Sequence, residues 1–472
     1  METKQFDIAI IGSGPGGYVA AIKASQNGAR VCLIEKEYLG GVCLNVGCIP
    51  TKTLLAHAHV MNVVQSAATF GIETGPISFD FAKIHARKTA IISKIRKNLE
   101  GLLTANHITI LKGKASFSSQ TELKVQGEDN VIVSAKKIII ATGSVPTDVP
   151  AFPCDHKRVF NSSSILEWSS LPKTLAIIGG GYIGCEFASL YAAFGVRVTI
   201  LEALDAIVSL QGKQISDALT RAFVKKGINI NTKVYVEGID HQEDGLSIRL
   251  KDKPPIQCER ALVCVGRKIA TEGLDLNKAG LNVDSKGAIS VNEHMETAVP
   301  GIYAIGDVTG KMLLAHVASH QGLVASSHAT GQTAHINYDA VPAVIFTSPE
   351  IAMVGMTLEQ ATQAGHAATI GTFPFLALGK SVASGETEGF AQVVIDKNTG
   401  AILGAQAMGE QAGTLIGEMS LAIHNELTAE SITETIHAHP TLAEAWPEAT
   451  LMALGMPLHF PPKHPRTLSQ EV

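Results

Sequence analysis

Short apolar runs punctuated by glycine turns dominate the first half of this chain. Phe6-Asp-Ile-Ala-Ile-Ile11 reads as a β-strand and Gly12-Ser-Gly14-Pro-Gly-Gly17 as a turn. Tyr18–Asn27 reads as a helix stopped by Gly28. Arg30–Ile34 is a second apolar strand, and Glu35 ends it. The same order returns with Thr174–Ile178, Gly179-Gly-Gly181-Tyr-Ile-Gly184, Cys185–Phe194, Gly195 and Val196–Leu201, closed by Glu202. Each marker moves by 167 residues: 12 to 179, 14 to 181, 17 to 184 and 35 to 202. From Pro342 the pattern changes. Val344-Ile-Phe346, Ala368–Phe373, Phe390–Ile395 and Ala401–Ala407 read as strands, and Leu415–His424 and Leu442–Leu454 as helices. Pro447 falls inside the last of these, which predicts a kink or a broken first turn.

Strand, glycine turn, helix, strand and terminal acid make up the βαβ dinucleotide pattern. The first glycine (Gly12, Gly179) permits the tight turn and the second (Gly14, Gly181) lets the backbone approach a pyrophosphate. The third (Gly17, Gly184) lets helix pack close on strand. The helix N-terminus supplies N–H groups and a positive dipole end, and Glu35 or Glu202 can accept from ribose hydroxyls. One such motif is weak; two complete ones in register predict two dinucleotide sites. At the second, Glu202-Ala-Leu-Asp205 holds no basic residue to receive a 2′-phosphate, which favours NAD over NADP. The fold class expected is α/β, with two Rossmann-like dinucleotide-binding domains and a C-terminal α+β domain that binds neither nucleotide.

A length of 472 residues corresponds to about three domains, or four smaller ones. The net charge of −5 gives no electrostatic reason to expect nucleic acid or an anionic membrane as partner. The longest apolar runs, such as Leu175–Ile178 and Ile138–Ala141, fall far short of the roughly 18 residues a membrane span needs. Met-Glu-Thr-Lys-Gln enters an apolar strand directly, without a leader pattern, so a cytoplasmic protein is expected. The 7 cysteines are sparse and odd in number, unlike a secreted disulfide framework. Cys32, Cys185, Cys258 and Cys264 sit among apolar or small residues and read as inert core thiols.

Cys43 and Cys48 differ. They lie in Gly40-Gly-Val-Cys43-Leu-Asn-Val-Gly-Cys48-Ile-Pro-Thr-Lys52, just after the first dinucleotide motif. Four intervening residues, one of them glycine, can bring the two Cα atoms within disulfide range. A zinc site recruiting His57 and His59 is an alternative, although side chains two apart on a helix diverge. An inert structural bridge is another, and such bridges are rare in a cytosolic chain. A redox pair is the preferred reading.

The segment Gly40–Lys52 closely resembles the active-site segment of the flavin disulfide reductases, in particular their dihydrolipoamide dehydrogenase branch. The likeness continues, in the family's order, through Ala141-Thr-Gly143, Val265-Gly-Arg267, Ala304-Ile-Gly306-Asp307 and Ile436-His-Ala-His439-Pro-Thr-Leu-Ala-Glu444. The resemblance implies that FAD occupies the first site, with Gly12, Gly14, Gly17, Glu35, Thr142, Gly143 and Asp307. It places NAD at the second, with Gly179, Gly181, Gly184, Glu202 and Gly266. Lys52 and Glu186 would pair near the flavin. Cys48 would be the flavin-proximal sulfur, Cys43 the interchange thiol, and His439, oriented by Glu444, the acid–base. The implied reaction oxidises dihydrolipoamide to lipoamide and reduces NAD+. The implied partners are a second copy of the chain, the lipoyl domain and acyltransferase core of 2-oxo acid dehydrogenase complexes, and the lipoyl carrier of glycine cleavage. No metal is implied.

These roles suit the chemistry. A dithiol must lose protons before it attacks a disulfide, histidine titrates in the right range, and a carboxylate fixes the histidine tautomer. Thr441-x-x-Glu444 is also a capping box, so Glu444 has a structural reading beside the catalytic one. His437 reads as structural, lying two residues from His439 in an extended pre-proline stretch. The expected boundaries are 1–145 for the first part of the FAD domain with the redox pair, 146–268 for the NAD domain, 269–341 for a segment completing the FAD site, and 342–472 for the dimerisation domain. Three positions depart from the family pattern. Val42 replaces a frequent threonine, Ser348 a histidine, and Ser319-His-Gln-Gly322 lacks the expected acids. Another NAD(P)H-dependent flavin disulfide reductase, or a mainly structural complex subunit, is the alternative function. A glutathione-type reductase would need a basic nucleotide pocket. A mercuric reductase would need a C-terminal cysteine pair, whereas the tail carries Pro461, Pro462 and Pro465 and the last cysteine is Cys264.

Overall fold

The computed structural model describes residues 1–461; Pro462, Pro465 and the end of the 342–472 segment lie outside the described residues. The chain forms two compact units. The first holds residues 1–179, 193–198 and 235–336, and the second holds 180–192, 199–234 and the described residues from 337 onward.

In the first unit, β1 (Glu2–Ile11), α1 (Pro15–Gln26) and β2 (Val31–Glu35) form the predicted βαβ start. Helix α1 begins at Pro15 rather than Tyr18, because proline's fixed φ and missing N–H suit a first helical position. The short α2 (Gly41–Val46) follows, then the 19-residue α3 (Cys48–Ser66) and the long α4 (Phe81–Ala105). Strands β3 (Thr109–Phe117), β4 (Glu122–Gly127) and β5 (Val131–Ile140) complete the sheet. β1 pairs in parallel with β2 and β5, β2 with β3, while β3, β4 and β5 form an antiparallel meander. Further along, β6 (Val159–Asn161) and β7 (Thr174–Ile178) are joined by β10 (Arg260–Val263), which pairs in parallel with both. β11 (Ile302–Ala304) adds to the edge of β5. Helix α7 (Ala315–Ala329) then packs on α1. That crossing accounts for the glycine of Ser319-His-Gln-Gly322; the missing acids before it have no structural explanation. A Cβ on Gly322 would lie 2.6 Å from the Gly16 carbonyl oxygen, so the backbones meet where a side chain has no room.

The second unit contains α5 (Tyr182–Ala193, of which 193 belongs to the first unit), the end of β8 (Arg197–Leu201), α6 (Lys213–Lys225) and β9 (Asn229–Asn231), with β9 parallel to β8 over Thr199–Leu201. Its larger part is an antiparallel sheet in the order β12 (Ala343–Ile345), β13 (Glu350–Gly355), β16 (Ile402–Gly409), β15 (Phe390–Asp396), β14 (Ala368–Pro374). Helices α8 (Ala412–His424) and α9 (Ala445–Ala453) bury Met419, Trp446 and Ala449 in a common core with Phe373, Val393 and Ala405. β13 is absent from the sequence reading: Glu350-Ile-Ala-Met-Val-Gly355 has one charged end and no alternation to mark it. The predicted helix at 442 begins instead as a 3₁₀ turn, Leu442–Glu444, and α9 starts at Ala445 with Pro447 in its first turn. There the missing N–H would lack a helical partner in any case. Among the described residues no helix is long and apolar enough to cross a membrane.

Candidate active site

Cys43 stands in the middle of α2, and Cys48 is the first residue of α3. Both are free thiols, and Cys43 hydrogen-bonds Cys48. Gly47 makes the approach feasible: a Cβ there would sit 2.9 Å from the Val42 carbonyl oxygen and 3.3 Å from Cys43 Cα. Thr51 Oγ1 donates to Gly47 O at 2.7 Å and fixes the start of α3. The Cys43 thiol is held well above its ordinary value, first by the bond with Cys48 and then by burial, while the nearby Lys52 ammonium acts in the opposite sense. In the reduced state the Cys43 thiol therefore holds its proton firmly, and a base is needed to release it.

A brace around this turn escaped the sequence reading. Asn45 Nδ2 donates to Leu39 O (3.0 Å) and Gly41 O (2.8 Å), and its Oδ1 accepts from Arg96 Nε (3.0 Å) and Nη2 (2.7 Å) on α4. Nothing local in the sequence couples residue 45 to residue 96. The remaining cysteines behave differently. Burial pushes Cys32 up to about 12 and Cys258 up to about 11, and Cys185 is fully buried.

The two glycine turns are built alike. Ser13 N and Oγ donate to Glu35 Oε2 at 2.9 and 2.6 Å, and Glu37 N donates to Oε1 at 2.9 Å. Displaced by the same 167 positions, Gly180 N donates to Glu202 Oε2 at 2.5 Å and Leu204 N to Oε1 at 2.7 Å. Each acid thus pins its own turn, and a carboxylate's remaining lone pairs stay open to a further donor. Gly17 sits where a Cβ would be 1.9 Å from the Gly12 carbonyl oxygen, whereas a Cβ on Gly14, Gly143 or Gly181 would meet open space. That contrast separates the packing glycines from those facing a cradle. Beside the first turn, Thr142 Oγ1 is buried without a hydrogen-bond partner, a group a bound ligand would satisfy. Ser144 Oγ donates to Asp307 Oδ2, and Arg267 Nε donates to Ser144 Oγ at 2.7 Å. Gly266 precedes this arginine with φ +132°.

In the second unit, His439 Nδ1 lies 2.8 Å from Glu444 Oε1. Glu444 Oε2 accepts from Thr441 N at 2.8 Å, which completes the capping box. A carboxylate only accepts, so Nδ1 carries the hydrogen and Nε2 is the acceptor left for chemistry. Burial tends to raise the Glu444 carboxyl, but hydrogen bonds from His439 and Thr441 outweigh it and hold the group below its ordinary value. His437 is turned inward, its Nε2 2.7 Å from Glu418 Oε1. Glu186 is buried on α5 and accepts from Phe346 N at 2.9 Å. Ser348 accepts from Lys226 Nζ through O (2.6 Å) and Oγ (2.7 Å), and its N–H donates to Ser189 Oγ at 3.0 Å, so the serine at this position is fully engaged.

Residues 6–322 match the model of the pyridine nucleotide-disulphide oxidoreductase family, and residues 341–450 match that of its dimerisation domain. The chain is 49% identical over 461 residues to a dihydrolipoyl dehydrogenase of Chlamydia pneumoniae, covering 98% of this chain and 100% of that one. It is 40% identical to a dihydrolipoyl dehydrogenase of Geobacillus stearothermophilus, covering 96% and 97% of the two chains. The crystal structure of LpdA from Mycobacterium tuberculosis superposes with a TM-score of 0.88 at 25% identity, covering 95% and 99%. The HOCl-induced flavoprotein disulfide reductase RclA from Escherichia coli, as its Cu(II) complex, gives 0.86 at 29% identity over 95% and 99%.

Proposed function

The chain belongs to the pyridine nucleotide-disulphide oxidoreductase family, and from that premise we propose that it is a dihydrolipoyl dehydrogenase, an NAD-dependent oxidoreductase acting on a sulfur group. The observation that carries the reading is the Cys43–Cys48 pair, hydrogen-bonded across a glycine and set directly behind a dinucleotide turn.

Residue roles follow from chemistry. In the oxidised enzyme Cys43 and Cys48 form a disulfide. A thiolate of dihydrolipoamide attacks Cys43 Sγ, the Cys43–Cys48 bond breaks, and Cys48 leaves as the thiolate. The second substrate sulfur then breaks the mixed disulfide, which frees lipoamide and returns the Cys43 thiol. His439 Nε2 takes a substrate proton at each attack, one of the two passing to the departing Cys43 sulfur and the other remaining on the imidazolium, which Glu444 steadies. Gly12, Gly14, Gly17, Glu35, Thr142, Gly143 and Asp307 would hold FAD, which would supply two-electron carriage between the dithiol and NAD+. Thr142 Oγ1 and the open face of Gly14 support that placement. Gly179, Gly181, Gly184, Glu202 and Gly266 would hold NAD, and the carboxylate of Glu202 suits a 2′-hydroxyl. Lys52 and Glu186 are assigned to the flavin side of the dithiol.

The dimerisation-domain match supports a homodimer in which His439 serves the dithiol of a second copy. Lipoyl domains and the acyltransferase core of 2-oxo acid dehydrogenase complexes are the partners proposed, in the cytoplasm, where a dithiol centre can be kept reduced. Dihydrolipoamide-dependent NAD+ reduction by wild-type and Cys43→Ser proteins tests the reading. The variant is expected to lose turnover, and full activity in it would overturn the assignment.

A further inference from the structure

A second histidine–carboxylate pair stands beside the first. His459 Nδ1 lies 2.7 Å from Glu448 Oε1, and the His459 N–H donates to Glu448 Oε2 at 3.3 Å. Glu448 follows Glu444 by four residues at the start of α9, so the two carboxylates share one helical face with Cβ atoms about 6 Å apart. Like charges so placed repel. The Glu448 side chain is only 10% exposed, which weakens solvent screening of its charge, whereas that of His459 is 73% exposed. An imidazole so exposed contributes little packing, and it is held by the ion pair with Glu448.

Resting on the reading of His439–Glu444 as the acid–base pair, we infer that His459 is a positioning residue for that base. By neutralising Glu448, it keeps Glu444 committed to His439 and prevents a second negative charge from over-stabilising the His439 imidazolium. Glu448 faces it from α9 and Glu444 from the 3₁₀ turn before that helix, with His439 just ahead of the turn. On α8 Glu418 is closed on His437, and the helix Ala429–Glu434 packed on α9 carries the exposed Glu430 and Glu434. Electrostatics agree with the geometry. Glu448 raises His459 above its ordinary value with a smaller contribution from Glu444, and the His459 charge in turn helps lower Glu444.

The test is the pH profile of kcat/KM for dihydrolipoamide in the FAD-loaded enzyme. His459→Asn leaves Glu448 uncompensated, so the apparent pKa of the base should rise by roughly 0.3–0.4 unit, the size expected for one charge on the order of 8–10 Å away in a water-like medium. Glu448→Gln combined with His459→Asn removes both charges and should return the profile to that of wild type, and His459→Arg should not raise it. A purely structural role would lower rates without this pattern of shift and reversal. An unshifted His459→Asn profile, or a shift that persists in the double variant, overturns the inference. A wild-type enzyme inert toward dihydrolipoamide would instead sink the functional reading on which it rests.

Discussion

Glu444 uses its two oxygens for two tasks, and substitution can separate them. Oε1 accepts from His439 Nδ1 at 2.8 Å, and Oε2 accepts from Thr441 N at 2.8 Å. Replacement by alanine removes both. The bond to a charged imidazolium is worth about 1.5–3 kcal/mol, or about 10- to 150-fold in rate. The lost cap costs about 0.5–2 kcal/mol of stability. Glutamine behaves differently. Its single carbonyl oxygen can keep the cap, which turns the Nε2 amide toward His439 Nδ1. An amide N–H donates, so Nδ1 must accept and the ring hydrogen moves to Nε2, where the proton of substrate should go. In the serine-protease triad the analogous wrong tautomer costs about 10⁴ in rate. We expect Glu444→Gln to be slower than Glu444→Ala yet more stable. Single-turnover reduction of the enzyme by dihydrolipoamide, read beside urea unfolding, measures both quantities. Near-wild-type rates in Glu444→Gln would show that the carboxylate serves only as a cap, and the assignment of His439 as an oriented base would fail.

Further expectations rest on named contacts. Gly47→Ala places a Cβ 2.9 Å from a backbone oxygen, an overpacking cost of about 1–3 kcal/mol that the reduced pair can relax and the disulfide cannot. At about 30 mV per 1.4 kcal/mol the dithiol potential should rise by roughly 20–65 mV, measured by alkylation in lipoamide redox buffers; an unchanged potential counts against the close approach. Gly371→Ala sets a Cβ 1.9 Å from Ala449 O and 2.4 Å from Ala453 N, so α9 must move off β14. A lower urea midpoint is expected, together with slower single-turnover reduction, because α9 carries the cap of the His439 dyad. Acid should also destabilise the protein. A hydrogen bond from Lys136 holds Asp7 below its ordinary value and one from His366 does the same for Asp396, so each folded-state value lies below the unfolded one. Their contribution is present above about pH 4 and is lost as pH falls through the folded values. The opposite sign applies to His459, whose contribution is present at low pH and lost as pH rises through its raised value. Urea titrations between pH 3 and 8 on wild type and Asp396→Asn check the first sign, since the variant should lose part of the acid sensitivity.

Two kinds of information separate along this chain. The repeated βαβ units and the Cys43–Cys48 spacing were legible because they are local patterns in which glycines, apolar runs and a terminal acid recur at fixed distances. The same short range explains why the strands at 344, 368, 390 and 401 were found to within a residue or two, while Glu350–Gly355, with no alternation of its own, became a strand only by pairing with β12 and β16. The His439–Glu444 spacing left capping and catalysis undivided, and the structure shows both contacts made at once by different oxygens.

Other features depend on residues that the chain brings together from far apart. The Arg96 clamp on Asn45, the bare backbone contact between Gly322 and Gly16, and the closure of His459 on Glu448 have no sequence signature. The sequence by itself determined which chemistry this protein carries, because motif spacing is a property of a few neighbouring bonds. Which groups brace, crowd or neutralise that chemistry was decided by tertiary structure, because side-chain contact and charge coupling depend on distance in space rather than along the chain.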